Sequence, residues 1–139
     1  MAGNLTLTMI KPTAFNKNYT GAILKMINEA GFTIKAMKLT QLTPQQAGTF
    51  YAVHKGKPFY DSLVSFMSSG PLVAVLLEKE NAVEEFRNFI GATNPEKAEE
   101  GTIRKLYGTS LQQNAVHGSD SDENAKVEAE FFFSKLERF

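Results

Sequence analysis

The alternation of apolar and polar residues divides the first part of the chain into two strands and a helix. Residues 5–9 alternate leucine or methionine with threonine, which is the period-two pattern of a strand with one buried face. Residues 20–30 place their apolar side chains on one helical stripe, and Gly31 is a typical residue to end such a helix. Residues 32–36 alternate again and predict a second strand.

The middle of the chain predicts three more helices, with a fully buried strand between the second and the third of them. The sequence Thr-Pro-Gln-Gln at 43–46 has the form of a capping box that opens a helix. Pro58 can start the next helix, and residues 72–77 are continuously apolar, which is typical of a strand buried on both faces and central in its sheet. Asn81 and Glu84 resemble a second capping pair, at the start of a helix that ends before Gly91.

The last third is less regular. Residues 93–113 show weak periodicity, and only residues 102–106 are long enough for a turn or two of helix, so this segment is either disordered or a functional loop. Its apolar residues favour order. Residues 115–116 could form a last strand, and a final helix begins near Asp122, with Ser119 or Ser121 as its cap. This alternation of strands and helices, taken alone, would favour a parallel α/β sheet.

Length, charge and composition narrow the class of protein. A chain of 139 residues fits one compact domain, which we take to be residues 1–139. Fifteen basic residues balance fifteen acidic ones, which disfavours a dedicated nucleic-acid binder, and without cysteine there is no disulfide. Residues 1–8 carry no secretory signal pattern, and the longest apolar run is too short to span a bilayer, so we expect a soluble intracellular protein.

Candidate chemistry lies around His117. This histidine precedes the start of the last helix, where backbone N–H groups attract anions, and a neutral imidazole near pH 7 is a competent nucleophile. An anion site beside a nucleophile suggests chemistry on phosphate. Lys11, Arg87 and Arg104 are candidate cations for phosphate oxygens, although each alone is most often a surface residue. A lone histidine before a polar turn is likewise more often a solvated loop residue.

Five motifs give the chain a resemblance to a known family. They are Ile-Lys-Pro at 10–12, Lys-Pro-Phe at 57–59, Ile-Gly-Ala-Thr-Asn-Pro at 90–95, Gly-Thr-Ile-Arg at 101–104 and Asn-x-x-His-Gly-Ser-Asp-Ser at 114–121. The last one resembles the active-site signature of the nucleoside diphosphate kinases. The resemblance spans about residues 5–133. It implies an α+β fold with a ferredoxin-like βαββαβ core, whose four-stranded antiparallel sheet is covered by helices.

The resemblance also implies a reaction and its residues. The γ-phosphate of a nucleoside triphosphate, typically ATP, would pass to a nucleoside diphosphate by a ping-pong route through phosphohistidine at His117 Nδ1, with low base specificity. Implied catalytic residues are His117, Lys11, Tyr51, Ser119 and Glu128, of which Ser119 and Glu128 would orient the imidazole. Implied nucleotide-binding residues are Lys11, Phe59, Arg87, Thr93, Arg104 and Asn114, with Phe59 stacking on the base.

The resemblance further implies a cofactor, partners and a location. Mg²⁺ would be bound through the nucleotide phosphates, near Asp120 but without a direct protein ligand. Partners would be ribo- and deoxyribonucleoside tri- and diphosphates and further copies of the chain in a tetramer or hexamer built from dimers, with no dedicated nucleic acid and no membrane. The location would be cytoplasmic. Departures from the family pattern at Thr13, Leu106 and Asp122 concern fine tuning and the oligomer interface.

Three other interpretations stay open at this point. A non-catalytic nucleotide-binding module would lack phosphorylation of His117, and a nucleic-acid binder would show salt-dependent binding that excess nucleotide does not displace. A metal-centred hydrolase could use His54, His117, Asp120 and Asp122, but two histidines without a known ligand spacing disfavour it. The phenylalanines at 131–133 and 139 exceed what one small helix can bury, so we expect a subunit contact there.

Overall fold

The computed structural model of the protein describes residues 3–139. The strands are β1 Leu5–Ile10, β2 Thr33–Thr40 and β3 Leu72–Glu78. The α-helices are α1 Pro12–Asn16, α2 Thr20–Glu29, α3 Pro44–Phe50, α4 Tyr60–Met67, α5 Ala82–Ile90, α6 Ile103–Tyr107 and α7 Asp122–Phe132. Short 3₁₀ turns follow at Ala52–His54, Pro95–Lys97 and Lys135–Glu137. Within these residues, no helix is long and apolar enough to cross a bilayer.

The sheet is antiparallel and has the order β1-β3-β2, with the continuously apolar β3 in its centre. The predicted fourth strand is reduced to one bridge, in which Val116 lies opposite Ile10 on the free side of β1. Two backbone bonds flank that bridge, from Lys11 N to Ala115 O at 2.9 Å and from His117 N to Met9 O at 3.0 Å. The segment therefore occupies the place of a fourth strand, and the α+β fold with an antiparallel sheet replaces the parallel sheet that alternation alone favours.

Both faces of the sheet are covered by helices. On one face, β1 and β3 pack against α3, α4 and α7 in a cluster that includes Leu7, Met9 and Phe132. On the other face, they pack against α2 and α5 in a cluster that includes Val75 and Phe86. This double cover makes one expectation wrong. Residues 5–9 were predicted to form a strand with one buried face, but every residue of β1 after Leu5 is buried.

The double cover of the sheet also buries two polar side chains of β1, those of Thr6 and Thr8. Both are fully buried on the α2 and α5 side of β1, and among residues 3–139 neither hydroxyl has a hydrogen-bond partner. The period-two pattern detects the polarity of a side chain, whereas burial is decided by what packs above it, and here helices cover both alternating sets.

Local capping chemistry explains two helix starts, one as predicted and one not. Thr43 caps α3 with a complete capping box, in which its hydroxyl accepts from Gln46 N and the Gln46 side chain accepts from Thr43 N. The expected capping pair of Asn81 and Glu84 is wrong. Asn81 adopts a left-handed φ of 54°, makes no side-chain cap, and instead donates from its amide to the Glu84 carboxylate at 3.0 Å.

Most of the phenylalanine side chains near the C-terminus pack into the protein's own core. Phe132 and Phe133 are buried and Phe131 is partly buried in the cluster under α7. Phe139 is 87% exposed, and its backbone N–H donates to Lys35 O on β2 at 2.7 Å. The premise that this helix cannot bury Phe132 and Phe133 is therefore wrong, because the sheet face covers them, whereas the subunit contact itself stays a prediction.

Candidate functional site

One cavity of roughly 510 Å³ brings together the residues that the sequence nominated. Its lining includes Lys11, Tyr51, Phe59, Arg87, Thr93, Arg104, Asn114, His117 and Glu128. Ser119 is the one nominated residue outside the lining, since it is fully buried behind Glu128. We call the part around His117, Ser119 and Glu128 the inner end of the cavity, and the part around Val53, Phe59 and Leu111 the outer end.

The Glu128 carboxylate orients the imidazole at the inner end, and Ser119 in turn holds that carboxylate. His117 Nε2 lies 2.8 Å from Glu128 Oε1, on the second turn of α7, and the Ser119 hydroxyl donates to the same oxygen at 2.7 Å. A carboxylate only accepts, so Nε2 carries the proton and Nδ1 keeps its lone pair. Ser119 Oγ also accepts from Leu7 N at 3.1 Å, which fixes this group to β1. The arrangement gives the neutral ring a defined tautomer, as a nucleophilic imidazole requires.

The two candidate serine caps have separate tasks. Ser121 caps α7 by accepting from Asn124 N at 3.1 Å, whereas Ser119 is turned inward to Glu128. The helix begins at Asp122 as expected, but the imidazole is held by a carboxylate inside the helix and not by the N–H groups at its start.

A strained turn presents His117 to the cavity. Ala115 has a φ of 76°, and Val116 N donates to Asn114 O across it at 3.0 Å, which is the geometry of a classic γ-turn. Such a conformation costs an L-residue energy and persists only where its surroundings enforce it. Here the bonds of Lys11 and His117 to the neighbouring segment enforce it. The turn places the side chains of Asn114 and His117 in one cavity.

Lys11 is buried at the end of β1. Its ammonium donates to Asn114 Oδ1 at 2.7 Å, and Asn114 Nδ2 in turn donates to Thr93 O at 3.0 Å. Burial and, secondly, the charge of Arg104 lower the pKa of Lys11 from 10.5 to about 7. An anion that enters the cavity would favour the charged lysine, so this site gains electrostatic attraction when it is filled.

Arg104 is the second buried cation of the cavity. Its guanidinium donates to Gly91 O at 3.2 Å and to Val116 O at 2.9 Å, while its Nε has no partner within residues 3–139. Burial, followed by the charge of Arg87, lowers its pKa to about 10, so it stays charged near pH 7. Gly91 has a φ of 94°, and a Cβ there would lie 2.6 Å from Thr102 Oγ1, so this turn requires glycine.

Arg87 and Thr93 are more open than the buried cations. Both line the main cavity, and both also line an adjoining polar hollow beside the turn at Gly91. The Arg87 side chain projects from the exposed face of α5, and its charge is close enough to depress the pKa of Arg104. Three cations therefore line the same cavity as the imidazole.

Aromatic rings pack around the imidazole. Phe50 meets the His117 ring edge to face, with 5.5 Å between ring centroids, and Tyr51 lies 6.4 Å away. Burial and the nearby Glu128 raise the pKa of Tyr51 well above its ordinary value, so its phenol stays protonated. That hydroxyl is buried and has no hydrogen-bond partner in the described residues. His54 stacks on Tyr51 at 6.3 Å and also lines the cavity.

The outer end is apolar and open. Phe59 is 46% exposed and Leu111 is 61% exposed, although both line the cavity. The Phe59 ring is therefore not part of the buried core. Sequence reasoning missed Leu111 and Gln112, because their segment has no periodicity and only the folded chain brings it opposite α4. The apolar residues within an otherwise unpatterned loop were the available signal.

Asp120 and Asn124 form the rim beside the inner end. The Asn124 amide donates to Asp120 Oδ1 at 2.6 Å, and both residues line the cavity. Among residues 3–139, no three histidine, cysteine or acidic side chains are grouped as metal ligands would be. The proposed hydrolase set of His54, His117, Asp120 and Asp122 is therefore not assembled, and Asp122 instead accepts from Gly3 N at 2.9 Å.

An antiparallel α+β fold with buried cations converging on an oriented imidazole defines a protein class that handles phosphorylated ligands. The nucleoside diphosphate kinase family profile matches residues 4–138. Curated relatives named nucleoside diphosphate kinase include one from Flavobacterium psychrophilum, 60% identical over all of both chains, and one from Persephonella marina, 56% identical over 99% of this chain and 98% of the relative. The chain belongs to the nucleoside diphosphate kinase family.

Solved structures agree with that assignment. The nucleoside diphosphate kinase of Aquifex aeolicus superposes with a TM-score of 0.95 at 45% identity and covers 99% of this chain and 100% of its own. The halophilic nucleoside diphosphate kinase of Halobacterium salinarum, solved in complex with CDP, superposes with a TM-score of 0.94 at 34% identity, over 99% of this chain and 91% of its own. The resemblance found in the five motifs is thereby confirmed.

Proposed function

We propose that this chain, as a single domain, is a nucleoside diphosphate kinase that moves a γ-phosphoryl group through His117. Nδ1 attacks the γ-phosphorus of a nucleoside triphosphate, the bond to the bridging oxygen breaks, and the diphosphate leaves with that oxygen. A second diphosphate then attacks the phosphohistidine in the same cavity and regenerates free Nδ1. The observation that carries the proposal is the contact of Nε2 with Glu128, because in the neutral ring it places the proton on Nε2 and the lone pair on Nδ1.

The cations have separate tasks in this proposal. Arg104 and Lys11, buried in the lining of the cavity, hold the terminal phosphates, and Arg87 with Thr93 holds the phosphate next to them. Phosphoryl transfer needs positioning and charge stabilisation more than covalent help, so fixed guanidinium and ammonium groups supply most of what the reaction requires. Tyr51, whose ring lies 6.4 Å from the imidazole, supports the surroundings of His117 beside the phosphates.

Mg²⁺ fits this cavity as a companion of the nucleotide. The ion prefers oxygen ligands, keeps several waters, and is held by substrate phosphates with one or two protein oxygens. Here no direct protein ligand is proposed: the phosphates and waters surround the ion, Asp120 lies at the rim of the cavity as a partner for a bound water, and the described residues group no three metal ligands. When bound, Mg²⁺ neutralises charge on the phosphate oxygens.

The base and sugar lie toward the outer end. Phe59 offers an exposed ring face to any base, which gives affinity without reading base edges and so accounts for low base specificity. The Asn114 amide, now engaged with Lys11 and Thr93, is the group that meets the ribose hydroxyls. Both ribo- and deoxyribonucleotides are accepted.

We also propose that the protein is a homo-oligomer, a tetramer or hexamer built from dimers. Met37 and Leu39 are exposed on β2, the last strand of the sheet, and Leu136 and Phe139 are exposed in the segment that runs beside it. A row of apolar side chains at a sheet edge is typical of a contact between chains. Light scattering at several concentrations tests this. A cytoplasmic location stays a prediction from the sequence.

Phosphorylation tests the proposal directly. Incubation with γ-labelled ATP and Mg²⁺ should leave an acid-labile, base-stable label on the wild type and on the His54→Gln variant, and none on His117→Ala. Transfer of that label to several added diphosphates should follow. An unlabelled wild-type protein, or equal labelling of His117→Ala, would contradict the proposal.

A further inference from the structure

The two walls of the outer end come from parts of the chain that are far apart in sequence. Phe59 precedes the first turn of α4, and Leu111 belongs to the segment 108–114 that follows α6. Both are exposed, and both line the cavity. Side chains of α4 pack into one apolar cluster, whereas Leu111 belongs to neither cluster, so the apolar core does not fix the position of the Leu111 wall relative to α4.

One side-chain link joins these walls. Ser62 Oγ lies 3.0 Å from Gln112 Oε1, fifty residues away in the chain, and 3.2 Å from the Phe59 carbonyl oxygen. The hydroxyl carries one hydrogen. It therefore either donates to Gln112 Oε1, or donates to Phe59 O and accepts from the Gln112 amide. Both arrangements connect Ser62, on the first turn of α4 beside Phe59, to Gln112, the neighbour of Leu111, and the second also engages the carbonyl of Phe59.

The other hydrogen bonds of this segment hold its opposite side. Thr13 Oγ1 donates to Gln113 Oε1 at 3.3 Å, and Lys11 Nζ lies 3.4 Å from Gln112 O, both toward the phosphate side of the cavity. Among the hydrogen bonds of residues 3–139, the Ser62 contact is the one that joins α4 to the segment 108–114. It is thus placed to control the outer end without touching the imidazole.

We infer that Ser62 and Gln112 are positioning residues that hold the Phe59 and Leu111 walls in place for the base of a nucleotide. The inference rests on the proposed function for the identity of the ligand. A wall that is already ordered loses less conformational freedom on binding, so the link raises affinity for ligands that reach the outer end. A ligand made of phosphate alone does not reach it and gains nothing.

Equilibrium binding separates the two kinds of ligand. Titration calorimetry with ADP and with inorganic pyrophosphate, both with Mg²⁺, should show that Ser62→Ala weakens ADP about 3- to 10-fold, the range of one hydrogen bond, and leaves pyrophosphate unchanged. Ser62→Thr keeps the hydroxyl and should bind ADP like the wild type. Ser65→Ala, an exposed serine one turn along the same helix, is the control for the helix itself.

A double-mutant cycle tests whether the two residues act as one link. Gln112→Ala should weaken ADP to a similar extent, and the double variant should be no weaker than either single variant. Unchanged ADP affinity in Ser62→Ala, an equal loss for pyrophosphate, or additive losses in the double variant would each overturn the inference. These results leave the proposed function standing, whereas a wild type that neither binds ADP nor becomes phosphorylated defeats both.

Discussion

The inner and outer ends of the cavity are built in opposite ways. At the inner end, Ser119 is fully buried, and the Glu128 carboxylate accepts from both the serine and the imidazole. At the outer end, Val53, Phe59 and Leu111 are 46–78% exposed, and the Ser62 hydroxyl on α4 contacts Gln112, the neighbour of Leu111. Charge-assisted hydrogen bonds away from water are strong and require one geometry. An exposed apolar wall forms no directional bonds and therefore accepts ligands of different structure.

The contrast separates the demands of chemistry from those of recognition. A nucleophile must present one nitrogen in one direction, so its neighbours are fixed to β1 and α7. A site that accepts several bases needs a surface without donors and acceptors in fixed places, and a phenyl ring is such a surface. Inner-end variants should therefore lower kcat, and outer-end variants should raise KM.

The largest effect is expected from Glu128→Ala. Loss of the carboxylate leaves the imidazole free to rotate and to change tautomer, so kcat should fall on the order of 10²-fold while the KM for ADP changes little. Steady-state kinetics measures both constants. Glu130→Ala, exposed on the same helix, is the matched control and should keep wild-type activity. A Glu128→Ala enzyme with unchanged kcat would show that the carboxylate does not orient the imidazole.

A smaller effect is expected from Phe59→Ala. Removal of one stacking ring should raise the Kd of ADP about 10-fold and affect purine and pyrimidine diphosphates alike, while kcat at saturation stays close to wild type. Fluorescence titration with several diphosphates measures this. Phe139→Ala, an exposed phenylalanine at the chain end, should have no effect on affinity. A loss confined to one base would mean that the outer end reads base edges.

The smallest effect is expected in the number of protons that the protein takes up when ADP binds. Because the pKa of Lys11 is lowered to about 7 in the free protein, this lysine is mostly neutral at pH 8.5, and a bound phosphate should restore its charge. Binding of ADP at pH 8.5 should therefore take up close to one proton, and uptake should decline as the pH falls below 7. Calorimetry in buffers of different ionisation enthalpy measures it. Lys11→Met should abolish the uptake and exposed Lys17→Met should retain it, whereas equal uptake in Lys11→Met and the wild type would contradict the assignment.

Sequence patterns predicted the features that depend on local chemistry. The capping box at Thr43, the buried central strand at 72–77 and the short helix after Thr102 are all present, because each follows from residues close in the chain. The antiparallel order came from the family resemblance. Strand register depends on partners far apart in sequence, and no period along one strand contains that information.

The candidate site likewise has features that the motifs predicted and features that they could not predict. The histidine signature and its cations were predicted from motifs and meet in one cavity. Motifs could not choose between Ser119 and Ser121 as the cap of α7, because the choice depends on the N–H group that Leu7 presents from β1. Nor could they reveal Gln112, whose partner Ser62 lies fifty residues away.

The phosphorylated nitrogen of His117 tests the account most directly. The protein labelled with ¹⁵N in its histidines can be phosphorylated with ATP and examined by nuclear magnetic resonance at alkaline pH, where one-bond coupling between phosphorus and nitrogen identifies the modified atom. Because Nε2 is held by Glu128, the account predicts phosphorylation at Nδ1. Phosphorylation at Nε2, or at His54, would contradict it.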